Sequence, residues 1–319
     1  MKILVPVNNS DYIDRYIECG ADEFYLGFYD EQWENKFGKY ADINRMSGFG
    51  KLANKYNFEE AMKLAAYIKK RGKAAFITMN ANSYSLENIE YIEKKYLPAI
   101  KENGIDGIII SDIELAKVAV DYEIDIVAST MCAIYNSDIA REYLQYGFKR
   151  QIIPRDVSLD EIRSIINNMP NVGFEVFFMR NGCVFSDSYC LGMHRPECGS
   201  TCGFMKNRNK QLVSFITDFI GKHNMEVNDY VYNKMFHNEA CAMCALYRLK
   251  EMGVGSLKIV GRADMCERVC EDIKITKQNI EIIDECDSEQ EYLSKMKFPN
   301  GSLANCKFGL SCYYPEVRF

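Results

Sequence analysis

The sequence predicts an α/β chain of repeated strand–helix units, and three observations carry that prediction. Short apolar, β-branched runs alternate with amphipathic stretches from Met1 to about Arg262, the pattern of parallel sheets with helical crossovers. Several helical stretches end at a glycine just before the next strand, at Gly20, Gly72, Gly104, Gly147 and Gly253, where a left-handed C-cap is wanted. The apolar runs number eight. That count suits a closed (β/α)8, TIM-barrel-like fold, complete or distorted, better than the competing open doubly wound sheet.

In chain order the expected strands are Ile3–Val7, Glu23–Leu26, Ala74–Met79, Gly107–Ser111, Asp125–Ser129, Gln151–Pro154, Phe174–Phe178 and Ser256–Val260. Apolar residues at three- and four-residue spacing place helices at Phe58–Lys70, Leu86–Asn103 with a break at Pro98, Ile113–Asp121, Asp138–Tyr146, Leu159–Asn167 and Glu239–Met252. Tyr29–Asn57 has little periodicity and holds the sole tryptophan, Trp33, so it reads as a long loop over the barrel mouth, with a disordered insert as the alternative. A second excursion, Met205–Lys234, contains an apolar run Leu212–Ile220 that suits extra strands. The domain expectation is a barrel over 1–275 with a cysteine-rich insert at about 180–240, and a C-terminal extension, 276–319, packed on it.

At 319 residues and 48% hydrophobic the chain can bury a large core. It has no apolar run of about 18 residues, so no membrane span is expected. A net charge of −6 argues against a broad basic surface, while a local basic pocket and a nucleic acid substrate stay open. The opening MKILVPV lacks a charged n-region and a long apolar h-region, which points to a cytoplasmic chain with reduced thiols.

Eight of the 13 cysteines lie between positions 183 and 270. Cys183, Cys190, Cys198 and Cys202 share one Gly-bearing loop after the strand Phe174–Phe178; Cys241 and Cys244 head the next helix, and Cys266 and Cys270 follow. Thiolates gathered after strands are soft ligands that select iron–sulfur clusters, zinc or copper(I). Redox disulfides and plain buried thiols are the rival readings, and Cys306 and Cys312 in the tail could complete a second metal site or be buried thiols. Only three histidines, His194, His223 and His237, are present, so a multi-histidine metal site is not expected.

If the active site lies at the C-terminal strand ends, as in such barrels, the candidate pocket is Asn80, Asp112, Thr130, Arg155, Arg180 with the cysteine loop, and Arg262. Asp112 could equally N-cap the helix after it. Arg155 and Arg262 present planar forks suited to carboxylate or phosphate, so an anionic ligand is expected.

These residues resemble the U32 family, long labelled collagenase-like peptidases, which includes the oxygen-independent hydroxylases of ubiquinone precursors, tRNA and ribosomal RNA. The resemblance rests on Glu175 and Phe177 followed by Cys183 and Cys190, on Cys198 and Cys202 in a C-x3-C, and on Cys241 twelve residues before Gly253. ECGADEFYLG, NFEEAMKLAAYIKKRGKAAFITMNA, IIPRDVSLDEI and LKEMGVGSLKIVGR match further units. What the resemblance implies is a (β/α) barrel, a [4Fe-4S] cluster held by Cys183, Cys190, Cys202 and Cys241, with Cys198 or Cys244 as substitutes, and prephenate as oxygen donor in several members. The chain departs from the family at Arg180-Asn181-Gly182, at Ser188-Tyr189 before Cys190 and at Val260, which stands where the family carries Glu.

Three functions compete. The first is an iron–sulfur redox enzyme of hydroxylase type, with Arg155, Arg262, Asp112 and Asn80 as catalytic candidates and a small molecule or biosynthetic intermediate as substrate. The second is a U32-type peptidase, for which the sequence offers no H-E-x-x-H or G-x-S-x-G and only a Cys183–His194 pair of unsupported spacing. The third is a zinc-stabilised, non-catalytic protein working with a homologous partner subunit.

Overall fold

A computed structural model describes residues 1–38, 41–183, 186–190, 240–262, 264–299 and 312–317. Eight parallel strands pair in sequence order: β1 (Lys2–Pro6), β2 (Glu23–Leu26), β3 (Ala74–Met79), β4 (Gly107–Ile110), β5 (Asp125–Ala128), β6 (Phe148–Ile152), β7 (Gly173–Met179) and β8 (Ser256–Ile259). β8 returns to β1 through Lys2↔Ser256, Ile3↔Leu257 and Leu4↔Lys258, so the sheet closes into a TIM barrel and the open-sheet alternative is excluded.

Along each strand alternate residues face the barrel axis, as the period-two geometry of a closed sheet requires. Tyr25, Thr78, Ile152, Phe177 and Lys258 line the mouth, while Glu23, Arg150 and Ser256 line a smaller hollow at the opposite end. The complementary set, such as Phe24, Ala75, Ile77 and Ile108, is fully buried apolar surface. The strands therefore read as apolar runs interrupted by a few charges, of which Glu23, Arg150, Glu175 and Lys258 point inward.

The helices between them are α1 (Ile13–Cys19), α2 (Glu31–Phe37), α3 (Phe58–Lys70), α4 (Leu86–Tyr91), α5 (Leu97–Glu102), α6 (Ile113–Ala119), α7 (Ser137–Gln145), α8 (Leu159–Asn168), α9 (Leu246–Glu251), α10 (Cys266–Asp284) and α11 (Glu289–Lys295). Their starts are chemically marked: Asn57 and Ser158 each form a capping box, with Glu60 and Glu161. The five glycines expected to end helices all have positive φ.

Three expectations need correction. Tyr29–Asn57 is not a plain loop, because it holds α2, whose N-cap Asp30 also takes Lys95 Nζ and the Tyr96 hydroxyl, each at 2.7 Å. Trp33 is fully buried and its indole donates to Ala41 O. The break in Leu86–Asn103 lies ahead of Pro98: the chain widens into a π-helical turn, Ile92–Tyr96, and Pro98 enters α5 at a first-turn position where its missing N–H costs little. The helix expected over Glu239–Met252 is confined to α9 and a 3-10 turn at Met243–Ala245, because residues 240–242 pair with the end of β7 and with 312–313 instead.

That last pairing brings the C-terminal chain onto the barrel. Tyr313 N donates to Cys241 O at 3.1 Å and Arg180 N to Ala240 O at 2.7 Å. Tyr292 of α11, fully buried, donates to Met243 O. α10 runs unbroken from Cys266 to Asp284. The run Leu212–Ile220 lies outside the described residues.

Candidate functional site

A cavity of about 290 Å³ opens at the C-terminal ends of the strands. Its walls are largely apolar, from Ile109, Ile152, Phe177 and Val260, with Met46 and Phe49 of the segment after α2 over the mouth. The polar groups entering it come from four places.

The first is Arg262, just after β8. Its Nη1 donates to Asn54 Oδ1 at 2.9 Å and Thr78 Oγ1 at 3.3 Å, both neutral acceptors. Among the described residues no carboxylate pairs with it. Burial lowers its pKa to about 10, helped by the Arg45 charge, so it remains a cation at neutral pH. Two glycines make this placement possible. A Cβ on Gly27 would overlap both Arg262 Nη1 and Asn54 Oδ1, and one on Gly261, at φ 131°, would overlap the Asp264 carboxylate that folds over the turn.

The second is Asp187, 1% exposed. Thr130 Oγ1 and Arg155 Nε donate to its Oδ2 at 2.9 Å each, and Arg45 Nη1 stands 2.5 Å from its Oδ1. Burial alone would raise the pKa of this carboxyl, but the two guanidinium groups outweigh it and hold it well below the usual carboxylate range. Arg155 also donates from Nη1 to Asn181 O and lies over the Phe177 ring, 4.4 Å from its centroid. Asn80 completes the frame: its Oδ1 accepts from Arg45 N and its Nδ2 donates to Ser129 Oγ.

The third is a column of ion pairs along the barrel axis, buried except at its Lys2 end. Lys258 Nζ donates to Glu175 Oε1 at 2.8 Å, Glu175 Oε2 takes Arg150 Nη2 at 2.7 Å, Arg150 also reaches Glu23 at 2.6 Å, and Glu23 takes Lys2 at 3.1 Å. Burial would raise the Glu23 pKa, yet Arg150 and Lys2 hold it low. The Lys258 end of this column lines the cavity.

The fourth is the cysteine region. Cys183 lines the cavity, and Cys241 is bridged through its backbone to Met179 at the end of β7 and to Cys312. Both thiols act on the Tyr313 phenol, whose pKa burial already raises. Cys190 is 6% exposed, in a turn after Asp187. Burial raises the Tyr292 pKa, and the Cys244, Cys241 and Cys286 thiols raise it further. Among the described residues no group of three or more Cys, His, Asp or Glu is gathered as a metal site. Cys198, Cys202, Cys306 and all three histidines lie outside the described residues. The donor chemistry still fits a thiolate-bound cluster: Cys183, Cys190 and Cys241 bracket the segment that carries Cys198 and Cys202.

Of the residues expected at the pocket from sequence, Asn80, Thr130, Arg155, Arg262 and Cys183 line one cavity. Two are placed elsewhere. Asp112 caps α6 through Leu115 N and also accepts from Tyr84 N, the bland alternative weighed for it. Arg180 turns outward, at φ 67°, into a bidentate pair with Asp272 of α10 at 2.6 and 2.8 Å. Arg155 is in place, but its fork is spent on Asp187 and Asn181. Arg45, Asp187 and Lys258 were not anticipated. For Lys258 the available signal was charge inside a strand-like apolar run, as also at Glu175.

The profile described as peptidase family U32 matches residues 8–300. The chain is 23% identical to an uncharacterised protease of Methanocaldococcus jannaschii, over 100% of this chain and 74% of that protein. It is likewise 23% identical to tRNA hydroxylation protein P2 of Bacillus subtilis, over 92% and 89% of the two chains. A third match at 23% is a 23S rRNA 5-hydroxycytidine synthase of Escherichia coli, in which the shared region covers 82% of this chain but 36% of the relative.

Proposed function

The chain belongs to peptidase family U32, and on that premise we propose that it is an iron–sulfur enzyme of the oxygen-independent hydroxylase type that binds a small anionic co-substrate at the barrel mouth. The observation that carries this reading is that Cys183 and Arg262 line the same cavity. A thiol from the cysteine-rich region and a partly buried cation that pairs with no carboxylate among the described residues thus face one space of small-molecule size.

In this reading Cys183, Cys190, Cys241 and one of Cys198 and Cys202 hold a [4Fe-4S] cluster, which supplies one-electron redox chemistry next to the cavity when bound. Arg262 binds the anion, oriented by Asn54 and Thr78 and given room by Gly27. Asp187 fixes Arg45 and Arg155 in the wall, and the apolar residues above and below exclude water, which strengthens the ionic contact. The relatives that act on tRNA and rRNA make an RNA base or a biosynthetic intermediate the proposed acceptor. Phe49, 38% exposed at the rim, is the apolar surface such a target would meet first.

The test compares thiols. Cys183→Ala should abolish the visible absorption of the anaerobically purified protein, whereas Cys132→Ala should keep it, because Cys132 is packed in the core with its Sγ against Ile110 O. Equal colour in the two variants would remove Cys183 from the ligand set.

A further inference from the structure

Lys258 has no part in the reading above, yet it occupies the cavity floor 7% exposed. Among the described residues its ammonium makes a single hydrogen bond, to Glu175, and stands 4.5 Å from the centroid of the Tyr25 ring. The Glu175 carboxylate is shared with Arg150, which is itself shared with Glu23. Lys258 therefore has only part of one counter-ion in a mostly apolar space. Arg262, which bonds Asn54 and Thr78 and pairs with no carboxylate among the described residues, projects into the same cavity from four residues further along the chain.

We propose that Lys258 is a nucleophilic amine that forms an imine with the carbonyl carbon of a small 2-oxo acid whose carboxylate is held by Arg262. The inference rests on the reading of the cavity as an anion site. A 2-oxo acid carries its carbonyl next to its carboxylate, so one small molecule can engage both groups. The physical setting favours the neutral amine: burial lowers the Lys258 pKa, Glu175 opposes, and the charges of Arg150 and Arg262 lower it further. Desolvation and neighbouring cations are the established means of activating a lysine toward carbonyl compounds.

The step balances without a co-reactant. The C–N bond forms as Lys258 passes a proton to Glu175, and the carbonyl oxygen becomes a carbinolamine hydroxyl. That hydroxyl leaves as water, so the two protons it carries away are those the ammonium loses, and the iminium nitrogen keeps one proton and the positive charge. Nothing is oxidised or reduced. Glu175 acts as proton carrier and as the group that positions the amine.

The experiment is reductive trapping on the full chain. Protein is incubated with pyruvate and sodium cyanoborohydride near neutral pH, digested, and mapped by mass spectrometry, while pyruvate binding is followed by calorimetry on untreated protein. The expected result is an adduct at Lys258 well above that at the exposed Lys117, because burial lowers the Lys258 pKa whereas the hydrogen bond to Glu114 raises that of Lys117. Lys258→Arg should remove the adduct while its melting curve stays cooperative, and Arg262→Gln should reduce it together with pyruvate binding. Pyruvate binding that depends on Arg262 but leaves Lys258 unmodified would overturn the imine and keep the anion site. Absence of both binding and adduct would overturn the two together. A bracing ion pair, the plain alternative for Lys258 and Glu175, would leave Lys258 labelled no more than Lys117.

Discussion

Asp187 pairs with two arginines at the mouth, Arg45 and Arg155, and replacing it separates structure from chemistry. Asp187→Asn would leave Arg45 and Arg155 buried without their shared counter-ion, so we expect a loss of about 3–5 kcal/mol in unfolding free energy by denaturant titration. Because the folded pKa is depressed, this stabilisation is fully present above the unfolded value of about 3.9 and fades as the pH falls below it. The wild type should therefore lose more stability than the Asn variant between neutral and strongly acidic pH, and parallel pH profiles would contradict the assignment. The two arginines chosen from sequence now divide by role. Arg155→Lys should lower thermal stability, since Lys cannot reach Asp187 and Asn181 with one rigid fork. Arg262→Lys should instead weaken pyruvate binding by about 1.5–3 kcal/mol, the worth of hydrogen bonds to a charged group. Sequence could nominate both residues from their place after strands, but it could not tell them apart, because the deciding partner, Asp187, sits between two cysteines in a loop without periodicity.

At the scale of elements, the turn after β2 and the turn after β8 are built for each other. Gly27 is the space into which Arg262 and Asn54 reach, so Gly27→Ala forces one of them aside. We expect a cost of about 1–3 kcal/mol in stability, as for other overpacked sites, with a concurrent loss of pyruvate binding measured by calorimetry. Unchanged binding would mean that Arg262 is not the receptor. Elements with a strong local signature were legible: α3 matches its expected span, Phe58–Lys70, because its capping box, apolar stripe and terminal glycine agree. β6 begins at Phe148, three residues before the expected start, because Lys149 and Arg150 resemble a loop until Arg150 is seen bonded to Glu23 and Glu175 inside the barrel. The same blindness applied to residues 240–242, whose apolar content suggested helix. Their backbone is instead committed to β7 and to the strand-like segment at Cys312, a long-range pairing that no local pattern announces.

At the scale of the whole molecule, the barrel divides its labour along one axis. The N-terminal end is locked by the column from Lys2 to Glu175, and the C-terminal end collects the cavity, Arg262 and the cysteine region. That polarity was readable, since a parallel barrel places its chemistry at the strand C-termini and the cysteines follow β7. Membership of family U32 was readable for the same reason, through Glu175, Phe177, Cys183 and Cys190 in one run. The inward-facing charges were written in the sequence as well, but only the closed register shows that they meet. The iron–sulfur cluster proposed for the cysteines at this end is tested by iron, zinc and acid-labile sulfide analysis of the anaerobically purified protein. The account predicts about four iron and four sulfide per chain, as thiolate ligation of a [4Fe-4S] cluster requires. Stoichiometric zinc with no iron or sulfide would contradict it.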